Sequence, residues 1–349
     1  MRVKVSVLGH FGEGINLLNG QTVKTKIITD ELQNQLGQDQ VLKYDTHGGW
    51  KTLLKAPFQV FQALKKSSNV LIFPAQNGLR VYAPLLTFQR CFFKKRKIHY
   101  VVIGGWLPQF ISERKGLAKS LKKFDGIYVE TKTMKSALET QGFTNVIVIP
   151  NCKKLTVLSE NELVYPSGVP YRLCTFSRVM REKGIEDAVN AVKFVNESIG
   201  FHAFSLDIYG QVDSSQTEWF ESLQKTFPPY VQYGGLVPFE KSVEVLKHYF
   251  ALLFPTYYEG EGFAGTLIDA YSAGVPVIAS DWKYNSEIVN GNLGFVYPVN
   301  DQEAFATILR DIAVNPMMLL SKKPHCLVEA GKYKIEKVVQ VLFERMEGV

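Results

Sequence analysis

A chain of 349 residues, 46% hydrophobic and 21% charged, is too long for one ordinary core and suits two domains of about 150 residues each, and its composition excludes intrinsic disorder. Four cysteines (Cys91, Cys152, Cys174, Cys326) are scattered without a CxxC pair, which argues against a disulfide scaffold or a cysteine zinc site and for reduced thiols. The net charge of +7 is unevenly shared: residues 1–150 hold 22 Lys/Arg against 9 Asp/Glu, net +13, and residues 151–349 hold 18 against 24, net −6.

The first residues alternate like a strand over 2–8 and lack the apolar core of a signal peptide. No run of about 18 apolar residues exists to span a bilayer, so a cytoplasmic protein is expected. A helix is predicted over Thr22–Leu36, strands over Asn69–Phe73, His99–Ile103 and Gly126–Glu130, a helix over Thr133–Thr140 and a strand over Val146–Ile149. Pro150-Asn151 then breaks the chain. A second series follows: strand Arg172–Ser177, helix Gly184–Asn196, strand Phe204–Tyr209, helix Trp219–Thr226, strand Val231–Tyr233, helix Lys241–His248, strand Ala251–Pro255, helix Gly265–Ser272, strand Val275–Ser280 and helix Asp301–Val314. Alternation of this kind predicts an α/β fold of two doubly wound, parallel-sheet domains whose strand C-terminal ends bind ligands. The expected domains are 1–151 and 152–332, with a final helix, Lys334–Met346 within about 333–349, packing back onto the first.

Chemistry concentrates in Pro255-Thr-Tyr-Tyr-Glu-Gly-Glu-Gly-Phe-Ala-Gly-Thr-Leu-Ile-Asp269. A buried strand ends at Pro255, a loop with Gly260, Gly262 and Gly265 follows, and a helix begins near Gly265-Thr266. Free backbone N–H groups at a helix start beside glycines form an anion seat. Glu261 lies in the loop and Asp269 about one turn into the helix, so one carboxylate can face a sugar and the other a more distant diol, which a carboxylate chelates well. Arg178 and Lys183 are spaced to converge on one anion, the arginine chelating two oxygens and the lysine supplying a point charge.

Glu261-x7-Asp269, followed by Ala-Tyr-Ser-Ala-Gly-Val-Pro-Val-Ile-Ala-Ser, resembles the retaining glycosyltransferases of family 4, whose hallmark carries glutamate at both positions; here the second acid is Asp269. The likeness continues to Glu287 and Gly294. Ser177-Arg178-Val-Met-Arg-Glu-Lys183-Gly184 resembles the family's Gly-Arg-x4-Lys-Gly segment, with serine in place of the first glycine, and Val148-Ile-Pro-Asn151 resembles its interdomain junction. The resemblance implies a GT-B fold, two Rossmann-like domains facing a central cleft, and retaining transfer of a hexosyl unit from a nucleotide-diphosphate sugar, most simply a UDP-sugar. It implies catalytic roles for Glu261, Arg178 and Lys183. It implies donor binding by Gly20, Gln21, Arg178, Lys183, Gly210, Val237, Glu261, Gly262, Phe263, Ala264, Gly265, Thr266 and Asp269. Arg178 and Lys183 would hold the departing diphosphate, Asp269 the ribose, and Gly20 and Gln21 the diphosphate from the opposite wall. A front-face displacement, with a donor phosphate oxygen taking the acceptor proton, is part of that implication.

The glycine-rich loop after the first strand, Gly9 to Thr22, has Gly12-x-Gly14 without a matching third glycine, a poor dinucleotide fingerprint. His10, Asn16 and His47, with Gly105 and Trp106 after the His99–Ile103 strand, are expected on the acceptor side. In many relatives a histidine stands near Gly104-Gly105. No Asp-x-Asp, HExxH or Cys/His cluster occurs, so metal-independent action without a cofactor is expected, with cationic side chains and helix N–H groups neutralising charge.

The basic first half attracts phosphates. It suits an acceptor carried on a lipid diphosphate at an anionic membrane surface, a peripheral position on the inner face, and capsule or exopolysaccharide assembly. Nucleic acid is disfavoured because no recognition motif accompanies the charge. The rival readings are a sugar-nucleotide epimerase and a non-catalytic GT-B partner subunit. Both sit poorly with a complete Glu261, Arg178 and Lys183 set.

Overall fold

Apolar runs separated by helical segments form two six-stranded parallel sheets. The computed structural model describes residues 3–12, 14, 20–154 and 156–347. Its chain divides into one unit of Met1–Lys154 with Tyr333–Val349 and a second of Leu155–Lys332.

In unit 1 the strands are β1 (Val3–Gly9), β2 (Val41–Asp45), β3 (Ser67–Ile72), β4 (Lys97–Val101), β5 (Gly126–Val129) and β6 (Val146–Val148), in the order β2-β1-β3-β4-β5-β6. Parallel neighbours require crossovers, here the helices Gly20–Leu36, Trp50–Lys66 and Gln76–Gln89 among others, so both sheet faces are covered and the central strands are mostly buried. The Ile335–Glu347 helix belongs to this unit. Its Ile335, Val338, Val339, Leu342 and Met346, at helical spacing, pack with Val5, Val7, Ile28 and Leu32.

Beneath the C-terminal edge of this sheet lies a buried ion pair. Lys24 Nζ, on the Gly20–Leu36 helix, is 2.6 Å from Glu130 Oε1, which follows β5, and the two side chains are 4% and 3% exposed. The ammonium also donates to the Val102 carbonyl at 3.4 Å. Removing one member of such a pair strands a buried charge. Lys24→Ala is therefore expected to destabilise unit 1 by about 3–5 kcal/mol in urea unfolding, and a Lys24→Met/Glu130→Gln double variant to regain most of that loss.

In unit 2 the strands are β7 (Tyr171–Phe176), β8 (Phe204–Tyr209), β9 (Val231–Gly235), β10 (Ala251–Phe254), β11 (Val277–Ser280) and β12 (Gly294–Tyr297), ordered β12-β11-β10-β7-β8-β9. The core spans Leu173, Val192, Leu206, Leu253, Ile278 and Phe305. From β7 the chain runs outward through β8 and β9, then returns to the other side of β7 with β10. The order therefore reverses between β7 and β10, the switch point at which open α/β sheets leave a crevice.

The doubly wound α/β architecture agrees with the sequence expectation. The strand Val41–Asp45 and the helices Trp50–Lys66 and Gln76–Gln89 were not predicted. The strand is a five-residue edge carrying Lys43, and each helix holds a proline inside it, Pro57 and Pro84, a residue that ordinarily ends a helix. Among the described residues no single helix is long and apolar enough to cross a membrane.

Candidate functional site

The loops after β7 and β10 meet at the switch point of unit 2. They can do so because Gly184 has no side chain. Its φ is +68°, and a Cβ there would lie 2.1 Å from the Pro255 carbonyl oxygen. Tyr257 N–H donates to the Glu182 carbonyl at 2.8 Å, and Thr256 Oγ1 lies 3.3 Å from the same oxygen. This stitching sets Lys183 Nζ 2.5 Å from Glu261 Oε2, with side-chain exposures of 10% and 7%. Thr256 Oγ1 donates to that oxygen too, at 2.9 Å. Neither donor engages Oε1. Burial with a cation and a hydroxyl on one oxygen fixes the carboxylate in place.

Arg178 arrives from the same β7 loop. Its guanidinium carbon is 5.9 Å from the centroid of the Tyr258 ring, and Lys183 Nζ is 4.8 Å from that centroid. One tyrosine thus lies beside both cations. Arg178 is half exposed and pairs with Asp213 at 3.1 Å. Hydrogen bonds from Ser215, and then Arg178 itself, hold the Asp213 carboxyl below the ordinary aspartate range. Trp282 Nε1 donates to the Tyr258 carbonyl at 2.8 Å, and Ser280 Oγ to the Thr256 carbonyl at 2.5 Å, so β11 and its following loop pin the segment that carries Glu261.

The Gly265–Ser272 helix starts next to this pair. Its N-cap, Ala264, has no capping side chain, and no acid occupies the first turn. By contrast, Thr131 and Asp301 cap their helices with a side-chain oxygen. The hydroxyl oxygen of Thr266 is buried and has no hydrogen-bond partner. An uncapped helix start with an orphaned hydroxyl fits an anionic oxygen ligand. Gly262 and Phe263 are buried in the preceding loop, and Ala264 and Gly265 are half-buried. Asp269 is 2% exposed, and its Oδ1 accepts from Ser242 Oγ at 3.2 Å. Gly210 follows β8 with a φ of +136°; a Cβ there would sit 1.7 Å from the Ser177 carbonyl oxygen. Val237, half-buried, follows β9.

The remaining residues singled out in the sequence belong to unit 1. Gly20 opens its helix at the surface, and Gln21 Nε2 donates to the Phe73 carbonyl at 3.1 Å, so the side chain reaches the end of β3. His10 Nδ1 lies 2.7 Å from Thr22 Oγ1, and its Nε2 lies 2.8 Å from His47 Nδ1, the rings edge to face. Asp45 Oδ1 accepts from the backbone N–H groups of Phe11 and His47. Burial, and then His47, lowers the His10 pKa. Gly105 is buried, and Trp106 donates its indole N–H to the Ile103 carbonyl at 2.8 Å. Asn16 lies outside the described residues.

Sequence reasoning missed three contributors: Thr256, Tyr258 and Ser242. The first two stood in the quoted string without a role, and only the contact at Gly184 reveals what they touch. Ser242 lies 27 positions before Asp269, with no local signal linking them.

Comparison with known proteins matches residues 170–315 to the family model described as glycosyl transferases group 1. The UDP-N-acetylglucosamine–peptide N-acetylglucosaminyltransferase GtfA subunit of Streptococcus gordonii is 26% identical over 204 residues, 57% of this chain and 39% of the relative. The chain thus spans about two fifths of that relative's length. Among solved structures, the lipopolysaccharide outer core galactosyltransferase WaaB is similar with a TM-score of 0.76 at 14% identity, covering 99% of both chains. Anabaena HepE in complex with UDP and glucose is similar at 0.74 and 14% identity, covering 100% of both. These likenesses establish the fold as that of GT-B glycosyltransferases.

Proposed function

We propose that this protein is a glycosyltransferase that takes a hexosyl unit from a UDP-sugar and attaches it, with retention, to an acceptor hydroxyl. The observation that carries the reading is the buried Lys183–Glu261 pair at the switch point of unit 2, beside an uncapped helix start with an orphaned Thr266 hydroxyl. The group 1 match over residues 170–315 covers the whole of that site, and UDP accompanies a structure of the same fold.

In this reading Arg178 and Lys183, with the N–H groups at Gly265 and Thr266, take the donor diphosphate and stabilise the departing nucleotide. Glu261 presents Oε1 to the sugar hydroxyls, Lys183 and Thr256 holding it by Oε2. Gly262, Phe263 and Ala264 line the approach. Asp269, oriented by Ser242, receives the ribose diol, and Gly210 and Val237 flank the base. A donor phosphate oxygen takes the acceptor proton. Gly20 and Gln21 meet the diphosphate, and His10, His47, Gly105 and Trp106 line the acceptor side. The basic first half suits a lipid-linked diphosphate acceptor at the inner membrane face, and hence surface-polysaccharide assembly.

Isothermal calorimetry with UDP tests the site directly. Micromolar binding is expected, weakening about tenfold or more in Arg178→Ala through loss of charge-assisted contacts to phosphate. No binding of UDP or of the other nucleoside diphosphates would refute the reading. Because side chains neutralise the diphosphate here, transfer is expected to persist in EDTA. Proton NMR of the product's anomeric signal tests retention.

A further inference from the structure

Unit 1 carries an apolar face outside the residues assigned above to the donor and acceptor. On the Trp50–Lys66 helix, Leu54, Phe58 and Phe61 recur at helical spacing and are 71%, 68% and 42% exposed. On the neighbouring Gln76–Gln89 helix and the 3-10 turn Arg90–Phe92 that continues it, Phe88 and Phe92 are 66% and 72% exposed. The rings adjoin. Phe61 meets Phe93 edge-on at 5.5 Å, and Phe88 meets Phe92 at 6.0 Å. Gln89 Nε2 donates to the Pro57 carbonyl at 3.1 Å, tying the two helices together. Single exposed apolar side chains are ordinary, but five on two packed helices and the turn that continues one of them mark an interaction surface.

The electrostatic setting says what kind of surface. Between Asp45 and Glu113, residues 46–112 contain ten Lys/Arg and no Asp or Glu. Lys55, Lys65, Lys94 and Lys95 are exposed on the same elements as the aromatics or directly after them. The Lys115–Leu121 helix lies beside Gln76–Gln89, with Thr87 Oγ1 3.4 Å from the Ser120 carbonyl oxygen. A groove of about 390 Å³ there is lined by Lys115, Lys119 and Lys122. Protein–protein interface cores are depleted in lysine. A bilayer of anionic lipid takes phenylalanine and leucine at the headgroup–acyl boundary and lysine at the phosphates.

We propose that unit 1 docks on an anionic phospholipid bilayer, with Leu54, Phe58, Phe61, Phe88 and Phe92 entering the interface and the surrounding lysines engaging lipid phosphates. This deepens the membrane placement proposed above for the basic first half and does not rest on the donor site, so failure of UDP binding would leave it untouched.

The test is co-sedimentation of the full chain with vesicles of phosphatidylglycerol and phosphatidylcholine against vesicles of phosphatidylcholine alone. The anionic vesicles are expected to bind about tenfold or more protein, and about 0.5 M salt to release most of it. Phe58→Ser/Phe92→Ser is expected to lose that binding with an unchanged far-UV dichroism spectrum. Leu54→Ser/Phe88→Ser serves as the second variant should the first misfold. A polarity-sensitive dye on Cys91, exposed while Cys152, Cys174 and Cys326 are buried, is expected to shift to the blue on anionic vesicles only. Equal binding to both vesicle types, or undiminished anionic binding in a folded patch variant, would overturn the proposal. So would a dimer in sedimentation velocity that the patch substitutions dissociate, because a second copy would then cover the face.

Discussion

Lys183→Ala is expected to lower transfer from a UDP-sugar by about 10²–10³-fold, the usual effect of removing one preorganised donor to a developing charge. It is also expected to lower the stability of unit 2. The ammonium lies 2.5 Å from Glu261 Oε2, and both side chains are nearly buried. Without it the carboxylate keeps only the Thr256 hydroxyl on that oxygen, and a buried charge stripped of its partner costs about 3–5 kcal/mol. Glu261→Gln separates the two consequences. The amide keeps the size of the side chain but carries no charge for Lys183 to pair with, so the double variant Lys183→Ala/Glu261→Gln is expected to regain stability while its turnover stays low. Urea unfolding and initial rates, measured on all four proteins of that cycle, check this. A double variant as unstable as Lys183→Ala would mean that the lysine stabilises by packing alone.

Lys323→Met is the second substitution with a large expected effect, and here the effect is a gain. Lys323 begins the Lys323–Ala330 helix, is 0% exposed, and its Nζ has no hydrogen-bond partner. Burial pushes its pKa down to about 8 from the ordinary 10.5. The folded protein therefore binds fewer protons than the unfolded chain between about pH 8 and 10.5, and stability rises with pH across that window. Below pH 8 the full cost of burying the charge is present, about 3 kcal/mol for a shift of this size. Methionine has similar length and no charge, so the variant is expected to be about 1–3 kcal/mol more stable at pH 7. The difference between variant and parent should shrink as pH rises through the window. Tyrosines and thiols shared by both proteins titrate in the same range, so the difference carries the test. A difference that stays flat from pH 7 to 10.5 would place the ammonium in water.

How much of this was legible in the sequence depends on how local each feature is. The strand Phe204–Tyr209 and the helix Gly265–Ser272 have the bounds that patterning gives, because each is an uninterrupted run closed by glycine or opened beside one. β2 escaped notice because a short edge strand bearing Lys43 does not look like the buried strands of a parallel sheet. The Trp50–Lys66 and Gln76–Gln89 helices escaped because proline inside a helix reads as a break. At the site, the charged residues were readable from spacing, but their pairing was not. The Lys183–Glu261 contact exists because Gly184 lets two loops touch, and that approach is a tertiary event with no local signature.

The Ile335–Glu347 helix has a consequence for biosynthesis. The β1–β6 unit is begun before the β7–β12 unit and completed after it, because Val338, Val339 and Leu342 fill its core only after the whole β7–β12 unit has been made. In the interval Val5, Val7, Ile28 and Leu32 lack their cover, and nascent chains with such exposed apolar surface draw chaperones and self-associate. The later unit contains its own core and can close before the earlier one is complete.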